Sequence, residues 1–318
     1  MGITLTDLQA TTQDELDRVI HDSVYDQLVF LKWLMKNKKV KSEGGDFKWD
    51  ILYDDYGLAD AVDPNAKVTY ETVETVEQAS DAWKYYTSTA LLTLEEQTKN
   101  YGKGQIIDLQ KKKADEMIND FKQRLSTDIY TATPNGLGMT PISTIIDSAA
   151  SYGGLDPATY SVWAGIEDNS TTTLEVEGAS TSLMGMYIQA WFGENHPDVH
   201  FTTRNLLMKY ASLVSNKTRY EYGGRDAKDA GMGRTNLFFM GDPIFADPKC
   251  PAGYWYGIDT NSIELKVHPD GNMKVNPWTK AEGQNMPWAF KREALMICNL
   301  KCKRRRTNFK FTALDYTE

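Results

Sequence analysis

The stretch from Gly104 to Tyr130 limits the folds open to this chain more than any other. Ile107, Ala114, Ile118, Phe121 and Leu125 recur at steps of seven, four, three and four. That is the spacing of one stripe on an α-helix. Ile106, Leu109 and Met117 widen the stripe, while Lys111, Lys112, Lys113, Asp115, Glu116, Asn119, Lys122 and Gln123 fill the opposite face. Asp108 with Lys112, and Asp120 with Arg124, stand acid before base at i, i+4, pairs worth a few tenths of a kcal/mol each. Gly102 and Gly104 break the chain where the helix begins. About 25 residues at 1.5 Å each make a rod of roughly 37 Å. Only one face is apolar, so the rod requires a sheet along its length, and strand-like segments lie on both sides of it in the sequence.

The totals admit such a fold. A chain of 318 residues has room for two core-bearing units. Its hydrophobic fraction of 41% and charged fraction of 25% are those of a folded soluble protein. A net charge of −9 argues against a protein that wraps nucleic acid as a whole and leaves local contact open. Eight Trp and seventeen Tyr suit extensive buried or subunit-facing surface. Cys250, Cys298 and Cys302 form no disulfide framework, which predicts a reducing compartment. Cys298 and Cys302 share one face of a β-like run but lack further ligands for zinc. There is no 18-residue apolar run to span a membrane. The first residues lack the basic and apolar regions of a signal peptide. They match a short myristoylation pattern, Met-Gly-x-x-x-Thr, too unspecific to argue from. Without secretion, the sequons at Asn169 and Asn216 are chance matches.

Residues 1–11 read as an irregular arm. Thr12 and Glu15 form a capping box ahead of a helix over roughly 13–36. Its second half, LVFLKWLMK, is apolar on more than one side, which suits either a buried core helix or one docked on a neighbouring subunit. Phe47, Trp49, Ile51 and Tyr53 alternate with Lys48, Asp50 and Leu52 as a strand does, and Val68, Tyr70 and Thr72 begin a second. The loop between, 54–66, carries Asp54, Asp55, Asp60 and Asp63 at its tip. A two-stranded ribbon is marginal in water alone. It must rest on its own core or reach over an adjacent copy. Residues 81–93 form a strand feeding the long helix, and the turn-rich 133–141 places a domain boundary. Beyond it we expect helices at 142–150, 180–194 and 205–214, and strands at 196–203, 236–246, 253–258 and 262–268, a compact mixed unit. Residues 288–302 compose a long strand placed to return beside those next to the long helix.

No catalytic constellation emerges. The chain has no phosphate-binding loop, no dinucleotide fingerprint and no nucleophile elbow. The histidines are His21, His196, His200 and His268. Pro197 argues against a mid-helix metal pair at His196 and His200, which read as strand-flank residues. The acidic tip does not match a calcium loop and reads as solvated charge. Lys301, Lys303, Arg304, Arg305 and Arg306 form a basic run: a solvated strand end, an inter-subunit salt-bridge strip or a contact for phosphates. Catalytic, cofactor-binding and metal-ligating residues are therefore expected to be none.

Two stretches carry a family resemblance: GGLDPATYSVWAG at 153–165 and the run GDPIFADPKCPAGYWYGIDTNSIELKVHPDGNMKVNPW at 241–278. With NLKCKRRR at 299–306 they resemble the major capsid proteins of tailed bacteriophages with the Hong Kong 97 (HK-97) type fold. The order of elements is similar over nearly the whole chain. The resemblance implies an α+β fold with an N-terminal arm (1–38) and an extended E-loop (39–80). A P domain with its spine helix (81–130), an A domain (131–270) and return strands to the P domain (271–318) complete it. It further implies a structural protein, not an enzyme, found in the virion capsid and made in the host cytoplasm. Copies would build hexamers and pentamers of an icosahedral shell around double-stranded DNA. Scaffold, portal and possible decoration proteins are the implied partners, with no membrane. The chain shows no long scaffolding segment before the arm, so a separate scaffold protein, or a piece removed by processing, is implied. Some relatives cross-link a loop lysine. Lys41, Lys48 and Lys67 lie in or beside the loop, and no local signature selects one. The alternatives are an encapsulin-like nanocompartment shell and an enzyme whose site is not legible.

Overall fold

The computed structural model describes residues 29–37, 40–42, 44–54, 57–59, 61, 63, 71–99, 103–215, 237–281 and 288–315, without the side chains of 35, 103–108 and 215. The expected arm, the start of the first helix, His21, Asp55, Asp60, Lys67, Val68, Tyr70 and Asn216 lie outside that set.

The chain enters through α1 (Val29–Lys36) and a short strand, β1 (Val40–Ser42). Phe30, Leu31 and Leu34 of α1 are buried, and Phe30 packs edge-on to Phe201 at 4.9 Å, so this helix belongs to its own core. A ribbon of β2 (Lys48–Leu52) and β3 (Val76–Ser80) follows. The returning strand lies at 76–80 and not near 72. Pairing of Leu52 with Val76 and of Lys48 with Ser80 sets the register, and the Ser80 amide is held by the Gly153 carbonyl at 2.8 Å. Next come β4 (Lys84–Leu92), the short helix α2 (Leu94–Lys99) and the long helix α3 (Lys103–Tyr130).

Helix α3 matches its sequence stripe. Ala114, Met117, Ile118, Phe121 and Leu125 are all buried. Burying side chains of the larger of these kinds contributes roughly 1.5–3 kcal/mol each. Two details differ from the periodicity. Lys122, expected on the wet face, is buried. Arg124 pairs forward with Asp128 at 3.0 Å, while Asp120 accepts from the Ser88 hydroxyl at 3.0 Å. Arg124 thus takes an acid one turn ahead on its own helix, and only Asp120 is drawn to a partner in the sheet that the helix cannot specify.

Beyond α3 the expected 142–150 helix stops at one turn, α4 (Ile142–Ile145). The Asp147 carboxylate takes the amides of Ala149 and Ala150 at 2.9 and 2.7 Å, replacing the helical bonds. Then follow β5 (Ile166–Asp168), α5 (Leu183–Ala190), β6 (Val199–Thr202) and α6 (Arg204–Ser215). Ser182 caps α5 by accepting from the Gly185 amide at 3.1 Å. The segment expected as one strand over 236–246 is a hairpin of β7 (Phe238–Phe239) and β8 (Asp242–Ala246). It turns at Met240 and Gly241, both at positive φ, 54° and 98°. The remaining strands are β9 (Trp255–Ile258), β10 (Ile263–Val267), β11 (Lys274–Val275), β12 (Thr279–Lys280), β13 (Phe290–Cys302) and β14 (Phe309–Phe311).

Two sheets result. In the first, β13 is the axis: β4 lies antiparallel along one edge, and β10, β11 and β12 pair in succession along the other. Strand β1 adds to β10 in parallel. Along β4, Tyr86, Ser88, Ala90 and Leu92 are buried, and the register places Met296, Ala294, Arg292 and Phe290 of β13 opposite them. Period-2 alternation thus sets one face of the sheet toward the core and α3. The second sheet runs β5-β14-β9-β6-β8-β7. Its central strands β6 and β9 are buried on both faces. Val199, Phe201 and Ile258 join the core beneath α3, while Trp255 and Phe309 join a second core with residues of α5 and α6. Gly257 is required here, because a Cβ would stand 2.2 Å from the Phe309 ring that crosses it.

Sheet membership does not follow chain order. Strand β10 lies in the first sheet and β14 in the second, so the chain passes from second to first and back again. The Tyr130 hydroxyl ties the end of α3 to the second sheet's margin, donating to Asp247 at 2.9 Å.

Candidate functional site: the ribbon and its root

The ribbon stands on a row of aromatic rings. Phe47 meets Trp49 at 5.5 Å and Trp83 at 5.0 Å. Trp49 meets Tyr152 at 5.6 Å, and Tyr152 stacks on Trp163 at 5.9 Å. The Lys301 ammonium lies over Trp49 at 5.6 Å. Gly153, at φ +64°, brings its backbone against Ala79 of β3, where a Cβ would approach to 2.9 Å. The root therefore rests on the chain's own core. Farther along, Tyr53 still packs edge-on to Tyr160 at 5.1 Å, and the charged side chains face water. Asp50, Asp54, Glu71 and Glu74 are exposed. At the end of the paired segment Leu52 and Val76 face each other across the strands at 65% and 54% exposure. An exposed apolar cross-strand pair on an otherwise acidic ribbon marks a contact surface.

Only part of the basic run is a solvated strand end. Lys303 donates to Glu264 at 2.7 Å, and Arg304 is exposed. Arg305 is fully buried and donates to the carbonyls of Ile145, Asp147 and Ala150 at 2.7, 2.7 and 2.9 Å. Arg306 covers Phe192 at 3.9 Å. The composition of 301–306 could not foretell this, because the acceptors come from a turn more than 150 residues earlier.

Glu264 itself is 3% exposed and gathers three ammonium groups: Lys41 and Lys303 at 2.7 Å and Lys266 at 3.7 Å. Burial raises its pKa, but the hydrogen bonds and charges of Lys303 and Lys41 outweigh that and take it down to about 2. Lys48 pairs with Asp46 at 2.9 Å.

Among the described residues the titratable groups do not converge as a reactive centre does. The three cysteines are buried and free, and burial pushes Cys298 and Cys302 up to about 12, where a thiolate is inaccessible at neutral pH. His196 flanks its strand as expected, near the Tyr187 hydroxyl at 3.0 Å. His200 sits inside β6. It is fully buried, accepts from the Trp255 indole at 3.3 Å, and is kept neutral by burial, its pKa down at about 3. No three His, Cys, Asp or Glu side chains among the described residues are grouped to hold a metal ion. No helix among them is long and apolar enough to cross a membrane.

A cleft of about 370 Å³ opens between β4, α3 and the 135–138 turn. Its polar groups bond one another: the Tyr86 hydroxyl and Arg124 Nε both donate to Asp128 Oδ2 at 3.0 Å, and the Met139 amide donates to the Tyr86 oxygen at 2.6 Å. These bonds hold the turn to the sheet. The cleft has no histidine or cysteine in its lining.

No known family profile matches the chain, and no curated protein matches it. Solved structures do. The capsid asymmetric unit of cyanophage A-1(L) superposes with a TM-score of 0.64 at 14% identity, over 88% of this chain and 92% of that one. The capsid of Myoviridae phage XM1 gives 0.57 at 11%, over 88% and 91%. Gordonia phage Cozz gives 0.56 at 13%, over 90% and 86%. The fold is therefore the HK-97 type of tailed-phage major capsid proteins.

Proposed function

We propose that this protein is a major capsid protein of a tailed bacteriophage, a structural shell subunit and not an enzyme. The observation that carries this reading is the likeness to phage capsid structures across nearly the whole of both chains. The rod-backed first sheet and the projecting ribbon agree with it. On this reading residues 39–80 are the E-loop laid over the next copy, α3 is the spine helix, and the first sheet forms the P domain. The second sheet with α5 and α6 forms the A domain, directed to the capsomer axis. Copies assemble as hexamers and pentamers into an icosahedral shell around double-stranded DNA, with a scaffold protein guiding assembly. A homomeric shell needs extended self-complementary surfaces and no bond-making centre.

The test is assembly. Purified protein, expressed alone and with its scaffold, is imaged by electron microscopy. Closed particles with a hexamer–pentamer lattice are expected. A strict monomer under every such condition would refute the reading.

A further inference from the structure

The turn beside the cleft carries an Asn-Gly pair, Asn135-Gly136, and the sequence holds no second one. Glycine has no side chain to shield its own backbone amide from the asparagine before it. Both residues are exposed, and Gly136 sits at φ +67° with open space where a Cβ would stand.

Three contacts arrange the pair. The Leu137 amide donates to Asn135 Oδ1 at 3.2 Å. It is placed to steady that oxygen when the carbon bearing it is attacked and negative charge collects there. Lys84 donates to the Gly136 carbonyl at 2.9 Å, and a cation so close favours loss of a proton from the neighbouring amide. The Gly136 amide donates to the Thr133 carbonyl at 3.0 Å. That bond must open first, and water takes over the amide of an exposed glycine at small net cost.

Other asparagines are less well placed. Among the described residues, Asn169 is the other exposed asparagine followed by an exposed small residue, Ser170. There the Ser170 amide donates to the Asp168 carboxylate at 2.9 Å, and the anion opposes deprotonation. Asn261 precedes Ser262, which is buried, with its amide bonded to the Asp259 carbonyl at 3.0 Å.

We infer that Asn135 is a site of spontaneous covalent modification, in which the Gly136 nitrogen attacks the Asn135 side-chain carbon. The new C–N bond closes a five-membered succinimide. The bond to Nδ2 breaks, and Nδ2 leaves as ammonia with the proton given up by the glycine amide. Water then adds to either ring carbonyl and opens the ring, giving aspartate by one cleavage and isoaspartate by the other. One water is consumed and one ammonia released, with no oxidant or cofactor. Both products place a carboxylate in the lining of the cleft, which already holds Asp120 and Asp128. Isoaspartate also lengthens the main chain by one methylene. The Gly138 amide on Thr133 Oγ1 at 2.8 Å and the Met139 amide on the Tyr86 oxygen hold this turn, so the longer chain loosens its seam with the sheet. The site stands independently of the shell reading.

Peptide mapping tests it. Full-length protein is incubated in neutral and in mildly alkaline buffer, digested and analysed by mass spectrometry. The peptide holding Asn135 is expected to gain one mass unit and to split into two products of equal mass. The isoaspartyl product is identified by its methylation with a protein isoaspartyl methyltransferase. The rate should rise with hydroxide and exceed that at Asn169 at least about tenfold, a barrier lower by about 1.4 kcal/mol. Lys84→Gln, its folding checked by circular dichroism, should slow the reaction severalfold in folded protein and leave it unchanged in urea, because only the fold brings Lys84 to the turn. Modification at Asn135 no faster than at Asn169, or a product without isoaspartate, would overturn the inference. An equal effect of Lys84→Gln in folded and unfolded protein would overturn the part assigned to the fold.

Discussion

The Arg305 guanidinium donates to the backbone carbonyl of Ile145 at 2.7 Å, across 160 residues of chain. The same group holds the carbonyls of Asp147 and Ala150, and its charged plane lies 5.9 and 5.8 Å from the rings of Tyr152 and Trp163. One side chain thereby closes helix α4 and braces the aromatic platform beneath the ribbon. Replacing it by Met leaves the Ile145 and Ala150 carbonyls without this donor, each costing about 1–3 kcal/mol, while the Asp147 carbonyl keeps the Gly165 amide at 2.9 Å. Arg305→Met is expected to destabilise by about 3 kcal/mol or more, read from the midpoint of denaturant unfolding. Arg305→Lys should rescue little, because an ammonium cannot reproduce the planar fork.

The stripe on α3 makes a contrast within one helix. Phe121→Ala empties a buried site beside the cleft and should cost about 3–5 kcal/mol. Lys111→Ala, on the exposed face, should stay within about 0.5 kcal/mol. Thermal unfolding of the two variants measures both.

At the second core the constraint is a missing side chain. Gly257→Ala places a methyl carbon 2.2 Å from the Phe309 ring, so ring or strand must shift. A loss of about 1–3 kcal/mol is expected. Gly257→Ala combined with Phe309→Leu should recover part of it, which a double-mutant cycle reads directly.

His200 makes stability depend on pH. Its folded pKa, about 3, lies below the ordinary value of 6.5, so the unfolded chain binds a proton that the folded chain refuses. Its contribution is complete above about 6.5 and is lost as pH falls toward about 3, at up to about 1.4 kcal/mol per pH unit. Asp242 acts in the opposite sense. Burial raises its folded pKa to about 6, which favours the fold as pH falls through that value. The difference in unfolding free energy between wild type and His200→Gln isolates the histidine. That difference should change with pH between 6.5 and 4; a flat difference would refute the assignment.

The ribbon is separable from the core. Leu52 and Val76 already face each other in register, so residues 53–75 can be replaced by a two-residue Asn-Gly turn. The shortened chain is expected to keep its unfolding temperature within a few degrees and to lose closed particles under electron microscopy. Particles of normal form would remove the ribbon from the assembly surface.

Local periodicity announced α3, β2 and β4, because burial on one face leaves a period of 3.6 or 2 in the sequence, and apolar composition announced β9, β10 and β13, of which β9 and β10 are buried on both faces. Composition carried the aromatic abundance of the ribbon's root. Several matters needed the folded chain: the return of the ribbon at Val76, the bond from Ser88 to Asp120, the burial of Lys122 and Arg305, and the exchange of β10 and β14 between sheets. Each depends on which distant group arrives as partner. A stretch of sequence records how much of itself must be hidden from water, but the hydrogen-bond partner of a buried charge is chosen only when segments more than a hundred residues apart are packed together.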